Sequence, residues 1–397
     1  MAATHLEPPV TTSVRRPVRA AAGAVTTTVA CVLPVFLVGG LAVQMGRDLA
    51  FSPVRLGLAV SVYFGVSALA SVPSGALVER YGPGTVARAG IVLSAGSLLA
   101  IAGLSHSYPI LVLLLAVSAG ANALGQLSSN MALARQVPAG RQGLSFGAKQ
   151  AAIPLSTLLA GAAVPAVALT VGWRWAFVLA AALAVATLVG VPPDPTAATD
   201  RPAGGGGRAT GALVVLGFAA TLAAGAANAL GTFLVDSAAG RGLSPALAGL
   251  TLTLGSVVCV VARVGAGWLA DRRSSGHVAV IAGMLVVGAG GLGLLAVEGP
   301  VPLVAGVTLG FGLGWAWPGL LNFAVVRLHP QAPAAATSIT QTGVYAGGCL
   351  GPLGLGAVAG HAGYPAMWWG AAVAMLLAAV LMLTGRRLLL RPGNHEN

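Results

Sequence analysis

Twelve stretches of this chain are each long and apolar enough to cross a bilayer, and they leave little sequence for anything else. They fall at about 21–45, 54–78, 85–104, 109–133, 143–169, 174–191, 211–235, 245–270, 277–297, 301–326, 334–360 and 364–385. A spanning helix needs about 20 such residues, and a backbone in lipid must satisfy its own hydrogen bonds, so these segments read as helices. Composition agrees: 8% of the residues are charged, against roughly a quarter in soluble domains. The expectation is an all-α integral membrane protein with twelve transmembrane helices. The first segment is too long for a signal-peptide core and is expected to be retained.

The formal net charge of +12 would suggest nucleic acid if it formed a patch. It does not. The basic residues sit in short clusters between apolar segments, which is how membrane topology is written. With the N-terminus in the cytoplasm, fifteen of the 21 basic residues fall in inside pieces and four in outside ones. Both termini are therefore expected in the cytoplasm, and the chain in the inner (plasma) membrane. Lys149 and Arg263 belong to neither set. Cys31, Cys259 and Cys349 all lie in apolar runs and read as small core residues.

The chain is also a repeat. Shifted by 192 residues, Gly75, Leu77, Glu79 and Arg80 fall on Gly267, Leu269, Asp271 and Arg272, and Asn130, Arg135 and Pro138 on Asn322, Arg327 and Pro330. The Pro/Gly-rich stretch 192–210 separates the copies as a flexible linker. The expected organisation is a cytoplasmic tail at 1–20, a six-helix bundle at 21–191, the linker at 192–210, a second bundle at 211–385 and a cytoplasmic tail at 386–397. Repeats of this kind place a binding site near the bilayer midplane between the halves.

These residues resemble the major facilitator superfamily. The segment Gly75-Ala76-Leu77-Val78-Glu79-Arg80 and its copy Gly267-Trp268-Leu269-Ala270-Asp271-Arg272 are similar to that family's G-x-L-x-D-R loop motif. Gly172-Trp173-Arg174-Trp175-Ala176-Phe177 is a third match, and the likeness covers nearly the whole chain. It implies two pseudo-symmetric six-helix bundles and a cytoplasmic latch built from Gly75, Glu79, Arg80, Gly267, Asp271 and Arg272. Glycine lets the helices approach closely, while the acid can meet a helix N-terminus or a nearby arginine. Glu79 stands where the family usually has Asp, which implies a weaker first latch.

Charges inside a bilayer are functional candidates by default. Lys149 in helix five and Arg263 in helix eight are each roughly 10 Å from the cytoplasmic end of their helix at ~1.5 Å per residue. The resemblance implies that helices five and eight face each other across the halves, as do two and eleven. The 192-residue shift relates Arg263 to Ser71 and Lys149 to Gln341, setting a cationic pair opposite a neutral polar one. Arg263, Gly267 and Asp271 also form an R-x-x-x-G-x-x-x-D pattern similar to the oxalate/formate antiporter and monocarboxylate transporter families. There the arginine contacts a carboxylate, which guanidinium geometry suits. Alternatively Lys149 snorkels to the interface and Arg263 belongs to a structural network with Glu79.

Asn122, Gln126, Gln150 and Asn228 are further cavity candidates able to orient a ligand, and Tyr63, Trp315 and Tyr345 could wall its apolar part. No Asp, Glu or His lies in mid-helix. Helix five reads Gly161-Ala162-Ala163-Val164-Pro165 where drug/proton antiporters carry G-x-x-x-G-P, so proton-coupled export of cations is disfavoured.

The sequence offers no nucleophile–base pair, metal cluster or phosphate loop, so neither an enzyme nor a cofactor is expected. The expected function is secondary transport of a small organic anion, a carboxylate first, by alternating access. Its partners would be that anion and the lipid bilayer, with no nucleic acid, and it would act as a monomer. The competing expectation is export of a neutral or amphipathic small molecule on the same fold.

Overall fold

The computed structural model of the chain describes residues 15–51, 53–191, 210–243 and 245–390. Of the expected linker only residue 210 is among them, and of the expected tails only 15–20 and 386–390.

The N-terminal half runs through α1 (Arg15–Gly40), the short α2 (Ala42–Leu49), α3 (Pro53–Tyr81), α4 (Pro83–Leu104), α5 (Tyr108–Gln136), α6 (Gln142–Ala163) and α7 (Trp173–Thr187). The C-terminal half runs through α8 (Thr210–Gly240), α9 (Pro245–Asp271), α10 (His277–Leu294), α11 (Pro300–Leu309), α12 (Pro318–Leu328) and α13 (Pro333–Leu389). Ten of the described helices meet the length and hydropathy needed to cross a membrane.

Two details bring ten to the twelve expected passes. The last candidate, Ala335–Leu389, has 55 residues and would be roughly 80 Å long if straight, far more than one ~30 Å hydrocarbon layer. It is broken at Gly363, whose φ of 81° and ψ of 169° suit only a residue without Cβ, so α13 is two passes. The other pass is α6, extended by a π-helical turn at Val164–Ala168.

Burial is inverted relative to a soluble protein. Leu69 is 81% exposed and Val301 76%, whereas Ser67, Asn122, Lys149 and Arg263 are all 1% exposed or less. A surface of this kind needs acyl chains around it. Inside, one apolar core joins α1, α3, α4, α5 and α7, and another is built mainly from α8 to α13. Between the halves α3 lies against α13 and α6 against α9, with further contacts of α6 to α12 and α5 to α13.

Candidate functional site

At Gly143, Gly147 and Gly267 the α6–α9 contact is backbone against backbone. A Cβ on Gly147 would run into the carbonyl oxygen of Arg263, and one on Gly267 into that of Gly143. This approach lays Arg263 against the backbone of α6. Its Nη1 donates to the Gln150 carbonyl at 2.5 Å. Nε and Nη2 donate to the Trp315 carbonyl at 3.1 and 2.8 Å.

That second acceptor exists because the tenth pass is interrupted. A π-helical turn at Gly310–Gly314 ends on Trp315, at φ −118° and ψ 0°, and α12 restarts at Pro318. Carbonyls at such a break lack regular helical partners, and broken helices in membranes occur where they line a cavity.

Such a cavity is present. It holds about 50 Å³ of free space between the halves, and Arg263 is in its wall. Gln150, Asn122, Gln126, Asn228, Gln341, Tyr345 and Trp315 line it too, so eight of the residues singled out from sequence meet in one place. Phe36, Phe64 and Trp317 add aromatic surface that the sequence reading missed. For Trp317 a signal was available in Trp315-Ala316-Trp317-Pro318, since a proline after paired tryptophans inside an apolar run marks a helix restart.

Three of the singled-out residues lie elsewhere. Lys149 is fully buried just behind Gln126: its Nζ donates to Gln126 Oε1, to the Gln126 carbonyl at 3.5 Å and to Asn130 Oδ1 at 3.0 Å. It does not snorkel. Ser71 turns its hydroxyl back to the Ser67 carbonyl of its own helix at 2.8 Å. Tyr63 donates to the Cys31 carbonyl at 3.4 Å, inside the N-terminal core. Arg263 and Lys149 thus have only neutral oxygens as partners, and neither touches a carboxylate among the described residues.

The loop acids meet backbone, not arginine. Asp271 accepts from the N–H of Gly143 at 2.6 Å and of Leu144 at 2.9 Å, at the start of α6. Glu79 accepts from the N–H of Ala335 at 3.0 Å, at the start of α13. Gly143 and Ala335 are themselves 192 residues apart, so each half caps a helix of the other by one pseudo-symmetric rule. Helix N-termini carry partial positive charge and free N–H groups, which is why carboxylates settle there. Arg80 instead lies 5.2 Å over the Tyr81 ring and Arg272 3.6 Å over Trp268. Gly75 is buried and Gly267 sits on α6.

At the opposite end the third motif is also legible. Trp173 Nε1 donates to Asp48 at 2.7 Å and Arg174 pairs with the same carboxylate at 3.4 Å.

The family model described as Major Facilitator Superfamily matches residues 24–352 and 216–396. A chloramphenicol resistance protein of Streptomyces lividans is 28% identical over 342 residues, 82% of this chain and 85% of that protein. Among solved structures, a proton:xylose symporter bound to 6-bromo-6-deoxy-D-glucose has a TM-score of 0.77 at 15% identity, over 93% of this chain and 96% of that one. The human organic anion transporter has a TM-score of 0.71 at 17% identity, over 95% and 100%. The E. coli fucose:proton symporter has the same score at 14% identity, over 94% and 99%. At such identities the likeness is one of fold.

Proposed function

The chain belongs to the major facilitator superfamily, a multi-pass transporter working by alternating access and not an enzyme, and from that premise we propose that it carries a small organic anion, a carboxylate first. One observation carries the reading: Arg263 lies in the wall of the central cavity, Lys149 is buried behind Gln126 of the same wall, and neither has a carboxylate partner among the described residues. Two like charges buried together are costly unless something neutralises them. Arg263 has five N–H groups and gives three hydrogen bonds to backbone carbonyls, so its fork is fixed in place with donors left for a ligand. Substrate then supplies the missing charge, and the halves rock about it. The free space is well below the roughly 300–1,000 Å³ of drug-sized sites, which favours a short molecule.

In this reading the transporter is a monomer in the plasma membrane with both termini in the cytoplasm, and its two six-helix bundles meet at a cytoplasmic latch formed by Glu79 and Asp271. Three bonds support it, from Gly143 and Leu144 N–H to Asp271 and from Ala335 N–H to Glu79, each joining one half to the other. The likeness of helix eight to oxalate/formate and monocarboxylate carriers supports Arg263 as the carboxylate contact.

A second reading has an observation of its own. Every polar lining group except Arg263 is neutral, and one relative bears the name of a chloramphenicol resistance protein, which together fit export of a neutral amphipathic molecule. Thermal stabilisation of the purified protein separates the two. Short carboxylates are expected to raise the melting temperature of the native chain and to lose that effect in Arg263→Gln. Stabilisation by chloramphenicol or other neutral amphiphiles alone, equal in both proteins, would make the second reading the correct one.

A further inference from the structure

The exposed face of α9 runs through Leu250, Leu254, Val257, Val261 and Trp268. That is the spacing of one helix face, so an apolar stripe lies against acyl chains. Arg272 stands one turn beyond Trp268 on the same stripe, exposed, with Arg273 exposed beside it. The turn Ala139–Arg141 packs on α9 and adds a third exposed arginine, Arg141. None of the three makes an ion pair among the described residues. The adjacent carboxylate, Asp271, already holds two N–H groups of α6.

Topology alone does not require this set. A basic residue at the inner end of a pass orients the chain and suits a helix C-terminus, but one charge meets both roles, as the other repeat shows. Shifted by 192 residues, Arg272 falls on Arg80, whereas Arg273 falls on Tyr81, Arg141 on Pro333 and Trp268 on Ala76. The same corner of the fold therefore holds three cations and a tryptophan in one copy and a single cation in the other.

Arg272 Cζ is 3.6 Å from the centre of the Trp268 ring, and that residue is 43% exposed. At this distance the guanidinium lies on the ring face, which holds it while its N–H edge stays free for phosphate oxygens. Tryptophan belongs at the headgroup level of a bilayer. Apolar stripe, ring and guanidinium thus follow the order of a phospholipid from chain to phosphate.

We propose that Arg141, Arg272 and Arg273 form a seat for the headgroup of an anionic phospholipid whose chains lie along the exposed face of α9. Arg141 comes from the N-terminal half and the other two from the C-terminal half, so the headgroup joins the halves beside the Asp271 cap. A ligand held by both halves in this arrangement favours it over one in which they part, which makes the lipid a regulator of the latch.

The test is binding of phosphatidylglycerol, and of phosphatidylcholine with the same chains, to the full-length protein in detergent, counted by native mass spectrometry. One phosphatidylglycerol is expected to bind at least about tenfold tighter than phosphatidylcholine. Arg141→Gln, Arg272→Gln and Arg273→Gln should each weaken it about fivefold, and Arg80→Gln less than about twofold. Trp268→Leu keeps every charge and an apolar surface but frees Arg272, so a few-fold loss is expected. All five side chains are exposed, so the variants should melt as the native chain does in phosphatidylcholine alone. Equal affinity for the two lipids, or a preference untouched by the three substitutions, would overturn the seat. An equal loss in Arg80→Gln would reduce it to general attraction by a basic face. Displacement of the lipid by inorganic phosphate would make it a site for soluble anions instead. Loss in the two α9 variants with Arg141→Gln unchanged would remove the link between the halves.

Discussion

Lys149 has three N–H donors and three neutral acceptors around it, which is the inventory of a satisfied ammonium. It meets the cavity through Gln126, which both accepts from Lys149 and lines the space. Lys149→Met fills a similar volume but leaves Gln126 and Asn130 without their donor, so a stability loss of about 1–3 kcal/mol is expected. Anion affinity should fall about tenfold or more with it, measured by competition binding with short carboxylates. Lys149→Arg should not rescue, because a planar fork does not reproduce three converging bonds to an ammonium. Affinity unchanged in Lys149→Met would restrict the residue to a packing role. At this scale the sequence was informative because a charge in an apolar run stands out. It was silent on Ser71 and Tyr63, whose side chains turn to backbone carbonyls that no residue pattern records.

Helix contacts follow a different logic, since their specificity is carried by what is absent. Gly143, Gly147 and Gly267 let α6 and α9 touch through backbone, and the same approach brings the α6 N-terminus to Asp271. The spans and the 192-residue repeat were readable as apolar runs and matching letters. The break before α12 was only half readable: Pro318 marks the restart, but the change of backbone dihedrals at Trp315 falls within a run that stays apolar throughout. The latch partners were half readable: the acids were visible, but their partners are main-chain N–H groups. Asp271 holds two of these and Glu79 one, so the two latches should differ. Asp271→Asn is expected to release the closed end by about 1–2 kcal/mol and Glu79→Gln by less than about 1. In a chain lacking the native cysteines, a cysteine at Ser145 should then label about tenfold faster from the latch side in the first variant and only a few-fold faster in the second. Equal rates would mean that the two acids share the load regardless of their bond counts.

For the whole molecule, the pseudo-symmetric caps make the latch end a single object: α6 is held by the C-terminal half and α13 by the N-terminal half. Neither half can swing away at this end without breaking a bond to the other. Alternating access requires that both caps open together once per cycle. A short thiol-reactive cross-linker between cysteines at Glu79 and Ala335, whose native groups are 3.0 Å apart, should hold that end shut. Transport into or out of proteoliposomes should then stop, and a cleavable linker should restore it on reduction. Binding of substrate from the opposite side should persist, because the link lies at the latch and not in the cavity. Full transport through the cross-linked protein would mean that the two halves do not part at this end, and the rocking mechanism built on these caps would fall with it.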